Sequence, residues 1–422
     1  MDLEKVTIEK LVHGGQGLAE LADGRKVFVW NALPGEIVNA RIIKQKRSYA
    51  EAIAEEIIKA SPERIEPREV NYLATSPWQI MDFAAEAKHK ADIVRELFAH
   101  EHVDIPSFGD AITAGPEWRY RNKMEYSFWG DDNGLHLALY QRGTHGKQIV
   151  QGSELAMPAI DAAATAICRE LSKLQTRAGD LKTIIVRASQ NGDVVAALYT
   201  KLPKFTKLDL PKELKGLRVY YSNPKSPASV PTKLIYELGD VSLEDTLLGR
   251  PFKYDVAAFF QVNIPVFERA LEDIKQAVSG EVVTDMYAGA GGIGLSVATK
   301  QVYLVELDPA SVAMARENFV KTGLKGEVIE ASTEKSLEYI TGDNPVIFDP
   351  PRAGLHVKVV ERVLETLPSK IIYLSCNPAT HARDLAFLQA AYSIDQFEVF
   401  NFFPRTPHIE TLAVLTRRKL VQ

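Results

Sequence analysis

The chain predicts an α/β protein, with a doubly wound parallel sheet in its C-terminal part, a small β module at the front and an α+β segment between. Three observations carry that reading. Beyond about residue 246, short apolar runs alternate with helical stretches, the rhythm of a parallel sheet. A glycine-rich turn, Asp285-Met-Tyr-Ala-Gly289-Ala-Gly291-Gly292-Ile-Gly294, follows the first of those runs, at the strand end where open α/β sheets bind ligands. The first 58 residues alternate apolar and polar positions between turn dipeptides.

Within residues 1–58, the runs Val6-Thr-Ile8, Lys26-Val-Phe-Val-Trp30 and Glu36-Ile-Val-Asn-Ala-Arg-Ile-Ile43 are separated by Gly14-Gly15, Asp23-Gly24 and Pro34-Gly35. Short strands between such turns predict a small barrel. Ser61-Pro62-Glu-Arg-Ile-Glu-Pro67 reads as a boundary. The middle segment, 59–245, has helical apolar spacing from Phe83 to His100, a helix that can pack on the catalytic part, and strand-like runs at 121–128, 182–187 and 193–199. In 246–422, strands are expected at 282–286, 302–305, 327–329, 346–348 and 371–374, and two more strand-like runs flank Phe403-Pro-Arg-Thr-Pro407.

The composition excludes several classes. No apolar run is long enough to span a bilayer, and Met1-Asp-Leu-Glu-Lys5 lacks the basic start of a secretory signal, so no membrane partner is expected. Two cysteines provide no disulfide framework, which suits a cytoplasmic protein, and too few thiolates for an iron–sulfur cluster or a thiolate-rich metal site. The net charge of −5 speaks mildly against nucleic acid. Two basic stretches qualify that, Arg41-Ile-Ile-Lys-Gln-Lys-Arg47 and Trp118-Arg-Tyr-Arg-Asn-Lys123, the second interleaved with aromatics. Oligomeric state is not legible, and a monomer is the default.

Chemistry concentrates at strand ends. Ser375-Cys376-Asn377-Pro378 places a cysteine at the tip of an apolar strand, before a proline suited to start a helix. A helix N-terminus lowers a thiol's pKa, so this cysteine is expected to be activated. Glu306 ends the second strand, 17 residues after Gly289, where an acid bonds ribose hydroxyls. The glycine turn and Glu306 fit a nicotinamide dinucleotide as formally as they fit S-adenosylmethionine. Asp349 stands at another strand tip, stiffened by Pro350 and Pro351. Gln261, in Phe259-Phe-Gln-Val-Asn263, and Glu410, in His408-Ile-Glu-Thr-Leu412, do not stand out on chemistry alone.

Together these motifs resemble the S-adenosylmethionine-dependent RNA uracil-5-methyltransferases, which make 5-methyluridine in ribosomal or transfer RNA. The matching residues are 259–263, Asp285-x-Tyr-x-Gly-x-Gly291, Asp349-Pro-Pro-Arg352, Ser375-Cys-Asn-Pro378 and Pro404-x-Thr-x-His-x-Glu410. His13-Gly-Gly-Gln-Gly17 and Leu33-Pro-Gly-Glu36 are similar to the TRAM domain, an OB-like RNA-binding barrel, and Tyr120-Arg-Asn-Lys123 to a run in the family's central domain. The resemblance implies a class I, Rossmann-like methyltransferase domain over 246–422, with Cys376 as nucleophile and Glu410 as base. Gln261, Tyr287, Glu306 and Asp349 would contact S-adenosylmethionine. Many members carry a Cys-Gly-Gly-Cys run as part of a [4Fe–4S] site; Thr75-Ser-Pro-Trp78 stands there in this chain, so no cluster and no metal are expected. The TRAM-like barrel favours 23S ribosomal RNA, with the T-loop uridine of tRNA as the alternative. A 5-methylcytosine enzyme would place a second cysteine in the Asp349 loop. An NAD-dependent oxidoreductase leaves Cys376 and Glu410 without a task, and a non-catalytic RNA-binding protein leaves all six site residues idle.

Overall fold

A computed structural model describes residues 3–144, 146–227, 229–278 and 282–418, so the outermost residues of the expected 1–58 and 246–422 segments lie outside it. The first sheet holds six strands, Leu3–Thr7, Lys10–Leu11, Gly17–Glu20, Lys26–Trp30, Ile37–Gln45 and Tyr49–Lys59, ordered first, fifth, sixth, fourth, third, second. Tyr49–Lys59 escapes a reading by apolar alternation because three of its four buried positions are Ala50, Ala52 and Ala54, with Ile53 the fourth, breaking the alternation. Alanine is small enough to line a tight interior yet gives a weak strand signal. The basic run 41–47 is partly neutralised across this sheet, Arg41 pairing with Glu55, and Lys44 with Glu51 at 2.5 Å.

A seven-stranded sheet follows, ordered Lys233–Gly239, Gly216–Tyr221, Val194–Thr200, Leu181–Ala188, Lys123–Asp131, Gly134–Tyr140 and Lys147–Ile149. Helix Pro158–Lys173 packs its apolar stripe on it. Cys168 sits in that stripe with its thiol donating to the Leu135 carbonyl at 3.3 Å, as a buried structural cysteine does.

The third large sheet is ordered Lys325–Glu330, Gln301–Glu306, Val282–Met286, Val346–Phe348, Lys370–Ser375, Glu410–Arg417 and Tyr392–Phe400. Its first five strands are parallel, but Glu410–Arg417 and Tyr392–Phe400 join antiparallel. The sheet is therefore mixed where the sequence predicts a parallel one. That reversal matters for function: Thr411 pairs with Ser375, so the start of one strand meets the end of its neighbour, and Glu410 lands beside Cys376. The helix after the glycine turn is a single turn, Gly294–Val297. Residues 245 and 246 fall inside the strand Ser242–Leu247, whose hairpin with Arg250–Asp255 packs into the core of this sheet through Leu243, Leu247, Phe252 and Tyr254.

Helix Phe83–His100 follows the apolar spacing, capped by the Asp82 carboxylate, which accepts from the Ala84 and Ala85 amides. Phe98 meets Phe397 of the third sheet edge to face, with ring centroids 4.8 Å apart. Just before this helix, Trp78 is 1% exposed, and its Nε1 donates to the Gly15 carbonyl at 3.0 Å. Gly15 has φ +96°, and a Cβ there would stand 2.3 Å from Pro407, so the barrel loop fits against the segment before Glu410 only as glycine. No helix among the described residues is long and apolar enough to cross a membrane.

Trp78→Ala removes this wedge and leaves a cavity at a three-way junction. The expected loss is about 3–5 kcal/mol of stability, read as a lower midpoint in thermal or urea unfolding. An unchanged midpoint would show that the junction is not cemented there.

Candidate active site

Strand Lys370–Ser375 is buried along its length and delivers Cys376 at its C-terminal end. Asn377 caps the following helix, Pro378–Leu388, its side chain accepting from the Ala379 amide at 3.2 Å. The same helix latches the neighbouring loop. The Arg352 carbonyl accepts from Asn377 Nδ2 (2.8 Å) and Thr380 Oγ1 (3.2 Å), and the Leu355 amide donates to Asp384 Oδ2 (2.8 Å). Asp349 and Cys376 thus stand at the tips of adjacent strands, with their loops tied together.

On the other side of Val346–Phe348 lies the glycine turn. Asp285, wholly buried, accepts from the Gly294 amide at 2.7 Å, and a Cβ at Gly294 would fall 2.8 Å from that carboxylate oxygen. Glu306 accepts from the amides of Gly289 (2.8 Å), Leu307 and Asp308 (2.7 Å each), which fixes its carboxylate at the strand tip. Tyr287 is held in the left-handed region at φ +69°, a conformation a bulky residue adopts only under constraint from its surroundings. Gln261 is carried by a loop pinned from the central sheet. Asn122 Nδ2 donates to the Gln261 carbonyl at 2.9 Å, and the buried Arg187 donates to the Ala258 and Phe260 carbonyls at 2.5 Å each.

All six residues singled out from the sequence, Gln261, Tyr287, Glu306, Asp349, Cys376 and Glu410, line one cavity of about 1590 Å³. Lys123, Phe259, Arg352, Phe403 and His408 line it too. Arg352 and His408 lie inside the matching motifs, so their presence was detectable. Arg187 carries no such signal, because its partners are backbone carbonyls brought near only by folding. In the basic stretch 118–123, Arg119 is consumed by Glu154 (2.6 Å), Asp161 (3.2 Å) and the Ser153 carbonyl, and the buried Tyr120 donates to the Pro404 carbonyl. Those two are structural, not free to grip a ligand.

The electrostatics overturn one expectation. The Cys376 thiol is pushed up to about 12, first by burial and then by the Glu410 and Asp349 carboxylates, with Arg352 opposing. These outweigh the helix N-terminus that the sequence suggested would activate it. Burial also raises Glu410 well above the carboxylate range, with Asp349 adding to it. Asp349 is raised to about 7 by burial and then by Glu306. His408 is lowered to about 3 by burial and then by Arg352 and Arg121, and its Nδ1 stands 3.0 Å from Arg352 Nη2, which donates to it. The cavity holds acids that resist ionising and a thiol that stays protonated.

Alkylation of Cys376 by iodoacetamide in the ligand-free protein is therefore expected to keep accelerating, about tenfold per pH unit, through pH 10. Peptide mapping separates it from Cys168. A plateau below pH 9 would mean that the thiol is already activated without ligands.

Comparison with known proteins gives this arrangement its context. Residues 335–418 match the family described as tRNA (uracil-5-)-methyltransferase, and residues 4–54 match the TRAM domain. An uncharacterized RNA methyltransferase of Lactobacillus johnsonii is 31% identical over 450 residues, covering 99% of this chain and 98% of the relative. One from Halalkalibacterium halodurans is 30% identical over 449 residues, with 98% and 97% covered. The crystal structure of Pyrococcus abyssi tRNA (uracil-54, C5)-methyltransferase in complex with S-adenosyl-L-homocysteine superposes with a TM-score of 0.78 at 21% identity, over 98% of this chain and 100% of that one. At that identity the likeness speaks to the fold. The chain belongs to the RNA (uracil-5-)-methyltransferase family and carries a TRAM domain at its front.

Proposed function

We propose that this enzyme methylates C5 of a uridine in RNA through a covalent bond between Cys376 and C6 of the base, working in the cytoplasm with S-adenosylmethionine as methyl donor. The observation that carries the reading is the convergence of Cys376, Glu410 and Asp349 at one sheet edge, in a cavity also lined by Gln261, Tyr287 and Glu306. In this reading residues 1–58 and 59–245 bind RNA and residues 246–422 carry the chemistry. No iron–sulfur cluster is needed, since Trp78 packs against Gly15 near the point where other members bind one.

The lining suits the donor. Glu306, its carboxylate held by three backbone amides, would bond the ribose hydroxyls, and the buried carboxylates of Asp349 and Glu410 favour a cation beside them. S-adenosylmethionine, when bound, supplies a methyl group on a positively charged sulfur. The chain's own residues supply the rest. Uracil C5 is a poor nucleophile; addition of the Cys376 sulfur to C6 makes it enolate-like. The thiol must first lose its proton, and a carboxylate poised near neutrality, as Asp349 is, suits that transfer. Once C5 carries both the methyl group and its original hydrogen, Glu410 takes that proton. The Cys376 thiolate then leaves and the C5–C6 double bond re-forms. The target base cannot react while stacked, so it enters the cavity flipped out or from a loop.

Among RNAs, 23S ribosomal RNA is the first reading, on the strength of the TRAM domain. The T-loop uridine of tRNA is the second, favoured by the description of the matching family and by the neighbouring enzyme, which aligns over the barrel as well. Methyl transfer from labelled S-adenosylmethionine to separate unmodified transcripts decides between them. Label recovered as 5-methyluridine in one pool is the expected result; label in neither would overturn the assignment. Cys376→Ala is expected to abolish transfer, while Glu410→Gln should accumulate a covalent protein–RNA adduct that survives a denaturing gel. Full turnover by either variant would sink the covalent scheme.

A further inference from the structure

Cations near the cavity divide into two kinds. Arg119, Arg187 and Arg405 have carboxylate or carbonyl acceptors at their guanidinium groups. Arg121, Lys123 and Arg352 form no ion pair with a carboxylate among the described residues. Arg121 is half-buried, and its Nε is fully enclosed without a partner. Its backbone is fixed, the amide donating to the Leu155 carbonyl at 2.8 Å and the carbonyl accepting from Met157 at 2.9 Å, so the side chain is aimed by a rigid strand end. Its guanidinium lies over the Phe403 ring, 5.7 Å from the centroid. Phe403 meets His408 edge-on at 5.5 Å, and His408 in turn accepts from Arg352 at 3.0 Å. The four side chains form a row, guanidinium, phenyl, imidazole, guanidinium, of which Phe403, His408 and Arg352 line the cavity and Arg121 joins through the Phe403 ring. Lys123 lines the cavity two residues from Arg121, its ammonium lowered to about 8 first by burial and then by Arg187.

Partly desolvating a cation without giving it an anion is costly. Two such cations, Arg121 and Lys123, beside a cavity that the exposed Arg352 also lines, in a chain of net charge −5, indicate an anion that arrives from outside. The spacing of charge, ring and charge matches single-stranded RNA, which offers phosphates on either side of a base with a π-face. We propose that Arg121 with Lys123, on the central sheet, and Arg352, on the Asp349 loop, grip the phosphodiester groups flanking the uridine presented to Cys376, with Phe403 between them as a stacking surface. The proposal rests on the function proposed above. It makes the entrance a joint product of two sheets, and within the basic stretch 118–123 it leaves the contact with nucleic acid to Arg121 and Lys123.

The test uses the full chain with Arg121→Gln, Arg352→Gln and the double variant, and as controls Arg121→Lys and Arg352→Lys. Binding to unmodified 23S ribosomal RNA and tRNA transcripts is titrated from 50 to 300 mM salt, and S-adenosyl-L-homocysteine binding is followed by calorimetry. Each Gln variant should bind RNA several-fold more weakly. It should also flatten the slope of log affinity against log salt by about 0.7, the single-strand value per phosphate contact. The Lys variants should keep the slope, and S-adenosyl-L-homocysteine affinity should stay unchanged in all of them. Unchanged RNA slopes in variants of an active wild type would overturn the proposal alone. Loss of S-adenosyl-L-homocysteine binding with RNA binding intact would also overturn it, identifying the anion as the donor's carboxylate. A wild type that methylates neither transcript would overturn the proposed function, and this grip with it.

Discussion

The edge of the candidate active site depends on one buried ion pair. Glu86 and Lys90, one turn apart on helix Phe83–His100, are both fully enclosed and 3.0 Å apart. Two charges removed from water persist only when their remaining bonding capacity is filled. Here the segment leading to Glu410 fills it. Glu86 accepts from the Arg405 amide (3.0 Å) and Asn401 Nδ2 (2.8 Å), while Lys90 donates to Asn401 Oδ1 (2.6 Å) and the Phe403 carbonyl (3.1 Å). Arg405 then reaches out to Glu117 and to the Met81 carbonyl. Residues 401–405 cannot shift without stranding a charge. The positions of Phe403, His408 and Glu410 follow from that constraint.

The barrel joins the same junction from the other side. Trp78 bonds Gly15, and Gly15 abuts Pro407, so the TRAM domain leans on the loop that carries the proposed base. The central sheet contributes Asn122 and Arg187, which pin the loop bearing Gln261. The cavity is consequently assembled by all three sheets, although the strand tips that hold Cys376, Asp349 and Glu306 belong to one. Such an arrangement couples the first two sheets to the geometry of the strand tips in the third.

Electrostatically the cavity is built for visitors. Cys376 sits among carboxylates that hold its proton on, Asp349 is poised near neutrality, and His408 is kept neutral between cations. In the ligand-free protein the proposed nucleophile is held in its protonated, unreactive form. This differs from enzymes that lower a thiol's pKa with a permanent cation, and it ties reactivity to what occupies the site.

Much of this was legible in the chain. Strand tips at Met286, Glu306, Phe348 and Ser375 follow from apolar runs of the right length, and helix Phe83–His100 from its 3.6-residue period, because local spacing encodes which face is buried. The six candidate site residues lie in motifs whose order along the chain survives without any knowledge of the fold. Several strands were obscured, and two show different reasons. Tyr49–Lys59 hides behind small alanines, and Glu410–Arg417 is visible as a strand but not as an antiparallel one. The sequence by itself determined the strand–helix rhythm, the glycine turn and the candidate nucleophile and acids. Only the tertiary structure decided that Glu410 meets Cys376, that the thiol is suppressed rather than activated, and which cations remain unpaired. Strand direction, burial and charge pairing depend on residues hundreds of positions apart, and no local pattern records them.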